Sequence, residues 1–131
     1  MSSPRVGCGA AIFDSQGRVL LVQRATEPEA GAWSFPGGKV DFGETTAQAA
    51  AREAAEELGV TIALDGLLHL VEQIGPGPQD HWVSPVYRAR IVGGEPLILE
   101  PEKHIALGWF PPEALPMPQA IAVVQVFARA P

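Results

Sequence analysis

The sequence predicts an α+β fold in which a mixed β-sheet lies between α-helices. Segments with strand character and segments with helical character do not alternate regularly, so a doubly wound parallel sheet is not expected. The 131 residues fit one compact domain spanning residues 1–131, and a hydrophobic fraction of 47% can fill a single core. We therefore expect one α+β domain.

The first elements predicted are two strands. Arg5 to Phe13 is a short apolar run, typical of a buried strand, that ends at the turn signal DSQG. Arg18 to Arg24 predicts the second strand, so the two segments are expected to pair as a hairpin. A polar loop from Ala25 to Gly31 follows. Trp33 to Gly38 then closes with PGG, which we interpret as a turn that glycines favour.

The clearest helix comes next. Thr45 can act as its N-cap, with Gln48 three residues later in a capping-box pattern. Six alanines before Leu58 favour helix strongly. Gly59 stands where a left-handed C-cap is expected. The sequence therefore predicts both ends of this helix.

The second half of the chain predicts three strands and a closing helix. Strands are expected at Val60 to Gln73, Trp82 to Val92 and Ile105 to Phe110, and the helix at Ala120 to Ala130. The loop between the first two is rich in glycine and proline (GPGP). Pro85 indicates that the strand containing it lies at an edge or carries a bulge.

Composition and charge argue against several classes of partner. The formal net charge is −6 and the sequence has no cluster of Lys and Arg, so binding to a nucleic-acid polymer is not expected. No apolar run approaches the roughly 20 residues of a membrane span. No apolar segment with a cleavage site follows the N-terminus, so no secretory signal is expected. With Cys8 as the one cysteine, no internal disulfide forms, and we predict a cytoplasmic protein.

Three glutamates of the predicted helix, Glu53, Glu56 and Glu57, stand at i, i+3 and i+4 and are expected to share one face. The residues expected on the opposite side are Ala47, Ala51, Ala54, Ala55 and Leu58. Carboxylates concentrated on a rigid helix suit a hard cation such as Mg²⁺, which also takes substrate phosphates as ligands. Taken alone, the REAAEE run is more typical of a solvated acidic face, since such runs are common on helices.

The residues around these glutamates resemble the Nudix box. From Gly38 to Val60 the chain reads GKVDFGETTAQAAAREAAEELGV, and the box is G-x5-E-x7-R-E-U-x-E-E-x-G-U, with U aliphatic. The fixed positions that match are Gly38, Glu44, Arg52, Glu53, Glu56, Glu57 and Gly59. Ala54 departs from the usual larger aliphatic residue. A preceding FPGG entry and a late WFP segment extend the resemblance over nearly the whole chain.

The resemblance implies a Nudix hydrolase, in which water cleaves a phosphoanhydride bond with the help of Mg²⁺ or, in its place, Mn²⁺. It implies that Glu56 and Glu57 are the principal metal ligands. Glu53 is then a further ligand or the general base, and Arg52 orients these carboxylates. The Gly37 carbonyl completes the metal site in relatives and is expected to do so here.

The same resemblance indicates residues for substrate binding and proton transfer. Arg24 stands where relatives contact a phosphate or base, although a solvated strand end fits it equally well. Trp33 is a candidate for stacking on a base, and Gly38 joins these two as a substrate-binding residue. A loop carboxylate recurs in relatives as a ligand or general base. Glu102 is the first candidate and Glu100 the second, with a solvated loop charge as the alternative.

Three functions compete at this point. The short chain and the EPEK and WF segments resemble MutT-like hydrolases, which convert nucleoside triphosphates, oxidised ones included, into a monophosphate and pyrophosphate. Pro76 lies near the position of a proline in ADP-ribose hydrolases, so an ADP-ribose or ADP-sugar pyrophosphatase is the alternative. A non-catalytic nucleotide-sensing module is the third, although such modules usually lose box carboxylates. The expected partner is a small nucleotide, and a homodimer is left open.

Overall fold

The computed structural model describes residues 3–77 and 80–128 of the chain. In chain order its elements are β1 (Arg5–Ile12), β2 (Val19–Arg24), β3 (Trp33–Ser34), β4 (Gly37–Lys39), α1 (Thr46–Leu58), β5 (Thr61–Ile74), β6 (His81–Gly93), β7 (His104–Phe110) and α2 (Ile121–Phe127). The predicted α+β class is confirmed. Neither α1 nor α2 is long and apolar enough to cross a membrane.

The strands divide over two sheets. The larger has the order β4-β1-β6-β5 and is mixed, because β1 runs parallel to β6 and antiparallel to β4. The smaller has the order β3-β2-β7, with antiparallel neighbours throughout. Helix α1 packs against β1, β4 and β5 of the larger sheet, while α2 contacts β5 and β3. The mixed sheet is therefore the one that carries α1.

The first two strands are joined by the predicted turn, but they do not pair with each other as the predicted hairpin. A bridge joins Phe13 to Val19, but β1 then pairs with β4 and β6 while β2 pairs with β3 and β7. The two strands instead face each other across the core, where Ile12 of β1 shares a cluster with Leu20 and Val22 of β2. Side chains buried on both strands favour this face-to-face packing, which joins the two sheets.

Helix α1 begins and ends as predicted. Thr45 and Gln48 form the reciprocal capping box, and Gly59 has a left-handed φ of 71°. The predicted division of its faces is wrong, because Ala55 is exposed and Glu57 is buried. The buried residues are Ala49, Ala50, Ala54, Glu57 and Leu58. The helix packs against three strands, so its contact face is wider than one apolar stripe and includes Glu57.

The predicted PGG turn is also wrong, since Gly37–Lys39 is the extended strand β4 paired with β1. Its glycines are needed for close approach. A Cβ on Gly37 would lie 2.1 Å from the carbonyl oxygen of Cys8, and one on Gly38 would lie 2.7 Å from the Glu53 carboxylate. Glycine at these two positions brings the β4 backbone directly against β1 and α1.

The remaining strands are confirmed, with two corrections. Pro85 lies in β6, which is flanked by β1 and β5, so the expected edge is wrong, and the register shifts between β5 and β6 fall at other pairs than Leu70–Pro85. The pairing of β6 with β1 is interrupted there, between the Val6–Val83 and Gly9–Val86 pairs, so a missing amide is tolerated. The closing helix ends at Phe127, earlier than predicted. Pro78 of the predicted loop and positions 129–130 of the predicted helix lie outside the described residues.

Candidate active site

The Glu57 carboxylate is buried where α1 meets β4. One oxygen accepts a hydrogen bond from the backbone N–H of Gly37 at 3.0 Å. The other lies 4.0 Å from Nε2 of His104, the first residue of β7. Burial raises the pKa of Glu57 to about 8, with the charges of Glu53 and Glu100 adding to the shift. This carboxylate is therefore fixed in position and poorly compensated in charge.

Arg52 holds the neighbouring carboxylates. Its guanidinium donates to Glu44 at 2.7 and 2.9 Å, to Glu53 at 2.9 Å and to Glu56 at 3.3 Å. It also reaches the Lys39 carbonyl at 3.1 Å, which joins α1 to β4. The hydrogen bond between Arg52 and Glu44 raises the pKa of the guanidinium and lowers that of the carboxyl. A planar five-donor group suits this bridging of several acceptors.

The three predicted ligands of α1 do not share one environment. Side-chain exposure is 13% for Glu53, 6% for Glu57 and 52% for Glu56. Burial raises the pKa of Glu53, which lies against Gly38. Within the described part of the chain, no three His, Cys, Asp or Glu side chains already stand together as a metal-binding group. The structure brings Glu53 and Glu57 inward and leaves Glu56 at the surface.

The loop before β7 brings a further carboxylate to this corner, and it belongs to Glu100. Its Oε1 atom is buried and has no hydrogen-bond partner among the described residues. Its Oε2 atom lies 3.5 Å from Nζ of Lys103, whose pKa is raised by the Glu100 charge. Glu102 is exposed on the same loop. Of the two predicted candidates, the second is therefore the one whose charge acts on Glu57.

His104 is a site residue that the sequence reasoning missed. It is buried, its Nδ1 atom has no partner among the described residues, and burial lowers its pKa. At the start of a predicted strand and next to a charged loop, it gave no signal that distinguished it from an exposed strand end. It lies beside Glu57 in the buried part of the site.

A divalent cation fits the donors gathered at this corner. Glu57 is a desolvated carboxylate, Glu53 is half-buried beside it, and Glu100 has a buried oxygen without a partner. A hard cation takes oxygen ligands of this kind and offsets their mutual repulsion. A bound cation would account for the burial of the Glu57 and Glu53 carboxylates.

A cleft of about 640 Å³ opens beside this corner. Gly37 and Gly38 form part of its wall, as does Arg24. The cations that line it are Arg5, Arg24 and Lys39. A site with carboxylates in one corner and cationic walls elsewhere suits a polyphosphate that is bound together with a metal ion.

Two of the three predicted substrate-binding residues line the cleft, and the third does not. Arg24 and Gly38 lie in its wall. Trp33 instead packs edge-on against Phe110 with ring centroids 5.0 Å apart, as part of a core cluster. Trp82 of β6 is the tryptophan in the cleft wall, with the Arg5 guanidinium 5.7 Å from its ring centroid. Trp82 is therefore the aromatic surface available to a base.

The family model for the NUDIX domain matches residues 3–129, so this chain belongs to the Nudix family. The structure of a MutT NUDIX hydrolase from Burkholderia pseudomallei is similar, with a TM-score of 0.87 and 49% sequence identity. The match covers 95% of this chain and 96% of that one. The fold and the helix that carries the glutamates are those of this family.

Two curated relatives are also similar. The CTP pyrophosphohydrolase of Escherichia coli (strain K12) is 36% identical over 118 residues, which are 86% of this chain and 82% of that protein. The 8-oxo-dGDP phosphatase of Homo sapiens is 36% identical over 114 residues. That match covers 83% of this chain but 33% of the human protein, so the chain spans about a third of that relative's length.

Proposed function

We propose that this chain hydrolyses a phosphoanhydride bond of nucleoside triphosphates, oxidised ones included, and releases a monophosphate and pyrophosphate with the help of Mg²⁺ or Mn²⁺. The observation that carries the proposal is the corner beside the cleft. There the Gly37 amide holds a desolvated Glu57, and Glu53 and Glu100 add two further carboxylates. Carboxylates beside a cleft that Arg5, Arg24 and Lys39 help to line favour catalysis over nucleotide sensing.

The residues proposed to hold the cation are Glu53, Glu56, Glu57 and the Gly37 carbonyl. When bound, the cation supplies positive charge for the phosphoryl oxygens and makes a water easier to ionise. Glu57 needs a fixed orientation for this, and the Gly37 amide provides it. Arg52 acts as a positioning residue, because one guanidinium holds Glu53 and Glu56 together.

We assign the acceptor of the water proton to Glu100 in place of Glu102. Glu100 has a buried oxygen without a hydrogen-bond partner, whereas one oxygen of Glu53 already accepts from Arg52. A general base must reach its proton directly or through one water, and an unpaired lone pair in the site meets this need better than an exposed loop charge. Glu53 is the second candidate for this role.

The proposed substrate is a nucleoside triphosphate because the cleft suits one. Its volume lies in the usual range for small-molecule sites. Arg5, Arg24 and Lys39 on its walls offer charge to several phosphate groups. The name of the Escherichia coli relative, a CTP pyrophosphohydrolase that matches most of this chain, supports a triphosphate as well. The cytoplasmic location and the homodimer stay predictions.

A substrate screen tests this proposal. The chain is incubated with NTPs, dNTPs, 8-oxo-dGTP, ADP-ribose and ADP-sugars, with Mg²⁺, with Mn²⁺ or with excess chelator, and the products are separated by ion exchange. We expect a triphosphate to give monophosphate and pyrophosphate with either cation and nothing in chelator. Hydrolysis confined to ADP-ribose would move the chain to the alternative substrate class. Binding without hydrolysis of any compound would indicate a sensing module.

A further inference from the structure

Glu29 has an unusual backbone conformation in the loop that follows β2. Its φ is 64°, and among the described residues it is the one non-glycine residue with a positive φ. This left-handed region favours glycine, because a Cβ crowds the following carbonyl. Glu29 also lines the cleft. A side chain at such a position needs a contact that holds it there.

That contact is made with helix α2. One carboxylate oxygen of Glu29 accepts a hydrogen bond from the backbone N–H of Ile121 at 2.8 Å, across 92 residues of sequence. Ile121 is the first residue of α2, and the N-cap residue Ala120 offers no side-chain hydrogen bond. Free amides at a helix start favour a negative partner. Glu29 therefore caps a helix from a distant loop.

The same loop fixes Arg24. The Arg24 side chain donates to the Pro28 carbonyl at 2.7 Å, and its backbone carbonyl accepts from the Gly31 amide at 2.8 Å. Arg24 and Pro28 line one side of the cleft, and Ala120 and Ala122 of the α2 segment line it as well. The bond from Glu29 to α2 thus joins two walls of the cleft.

We infer that Glu29 is a positioning residue for the nucleotide. By tying residues 25–31 to α2, it sets the separation of the two cleft walls and the place of Arg24 between them. This inference rests on the proposed function for the identity of the ligand. Contacts that bind the substrate equally well in the ground state and in the transition state affect KM and leave kcat unchanged.

The experiment compares four variants. Glu29→Ala removes the tie, and Glu29→Gln keeps an oxygen that can accept from Ile121. Glu29→Gly removes the tie but suits the positive φ, so it separates the contact from the backbone conformation. Glu27→Ala is the matched control, because the Glu27 carboxylate accepts from Ala30 within the same loop.

Three quantities are measured for each variant. They are KM and kcat for the triphosphate hydrolysed fastest, the Kd for α,β-methylene-CTP by calorimetry, and the exchange rate of the Ile121 amide. We expect Glu29→Ala and Glu29→Gly to raise KM and Kd about tenfold, the scale of one hydrogen bond to a charged group. We expect kcat to change less than about twofold and Ile121 to exchange faster. Glu27→Ala should match the parent, and Glu29→Gln should fall between the parent and Glu29→Ala, because its oxygen still accepts from Ile121 but carries no charge.

The outcomes separate the two proposals. If nothing is hydrolysed but Glu29→Ala and Glu29→Gly still weaken analogue binding, the proposed hydrolysis fails and the role of Glu29 stands. If hydrolysis proceeds and the Glu29 variants keep parental KM and Kd while Ile121 exchanges faster, the role of Glu29 is overturned and the proposed hydrolysis stands. Loss of binding in Glu29→Gln equal to that in Glu29→Ala also overturns it.

Discussion

The corner between α1 and β4 and the two loops beside it, residues 25–31 and 100–103, are held in different ways. In the corner, contacts join parts of the chain that are close in sequence. The Gly37 amide reaches Glu57 across 20 residues, and Arg52 binds acceptors no more than 13 residues away. The glutamates of α1 are therefore placed by one short stretch of chain.

The loops depend on contacts between distant segments. Glu29 reaches the Ile121 amide, and the Ala25 amide donates to the Lys103 carbonyl at 2.8 Å, which links the two loops to each other. The difference indicates that the corner and the loops have different roles. Local contacts fix the glutamates of α1 proposed to hold the cation, whereas long-range contacts place Glu100 and the cleft wall of residues 25–31.

The largest expected effect is that of Glu57→Gln. This change keeps an acceptor for the Gly37 amide but removes the charge offered to the cation, so we expect kcat to fall at least a few hundredfold, about 3–4 kcal/mol in the transition state. The Tm in chelator should not fall, because the variant removes a carboxylate that burial disfavours. Steady-state kinetics measure kcat, and calorimetry measures Tm.

Glu113→Gln is the control for that variant, since Glu113 is exposed and lies outside the corner and the cleft wall. A Glu57→Gln variant with parental kcat would remove Glu57 from the cation site. One that melts far below the parent in chelator would show that the buried carboxylate has a structural role.

The next largest effect is expected for Glu100→Gln. Loss of the proton acceptor should lower kcat by about a hundredfold with little change in KM, because general-base catalysis acts in the transition state. Glu102→Gln is the matched variant on the same loop and should be silent, since its side chain is exposed. If Glu102→Gln lowers kcat and Glu100→Gln does not, Glu102 is the proton acceptor. If neither variant changes kcat, Glu53 is the remaining candidate.

The sequence predicted the parts of the site that depend on near neighbours. The Thr45 capping box and the Gly59 C-cap are local patterns, and both are present. The burial of Glu57 was not predictable from the helix alone, because a helical wheel gives the relative angles of side chains but not which side meets the sheet. The choice of Glu100 over Glu102 has the same cause, since loop geometry follows from contacts elsewhere.

The fold shows the same limit. The apolar runs of the sequence predicted where the strands lie, but they did not predict how the strands pair. A turn joins β1 and β2, and the two strands still belong to different sheets. Trp33 and Trp82 are the same residue type, so the sequence alone does not show which of them lies at the cleft. Only the packing of Trp33 on Phe110 and the position of Trp82 in the cleft distinguish them.

A smaller effect is expected for Gly38→Ala, with Gly37→Ala as its contrast. The added methyl on Gly38 meets the movable end of the Glu53 side chain, so activity should fall about tenfold with Tm nearly unchanged. On Gly37 it meets the Cys8 backbone, so unfolding free energy should drop by about 1–3 kcal/mol. Equal losses of stability in both variants would contradict the close approach described for β4.

The last variant-free prediction, which concerns no catalytic quantity, is for Cys8 on β1, the strand paired with β4. Burial raises the pKa of its thiol from 9.0 to about 11. A raised pKa leaves less thiolate at a given pH, so at pH 8 alkylation by iodoacetamide should be about a hundredfold slower than in the unfolded chain. The rate should rise with pH up to about 11. A midpoint near 9 would mean that β4 does not cover this thiol.

Binding of Mn²⁺, followed by electron paramagnetic resonance in the absence of nucleotide, tests the carboxylate corner most directly. The parent and Glu113→Gln should bind the ion equally, while Glu57→Gln should weaken binding at least about tenfold, as expected when a ligand is lost. Equal affinity in all three proteins would contradict the assignment of this corner as the cation site.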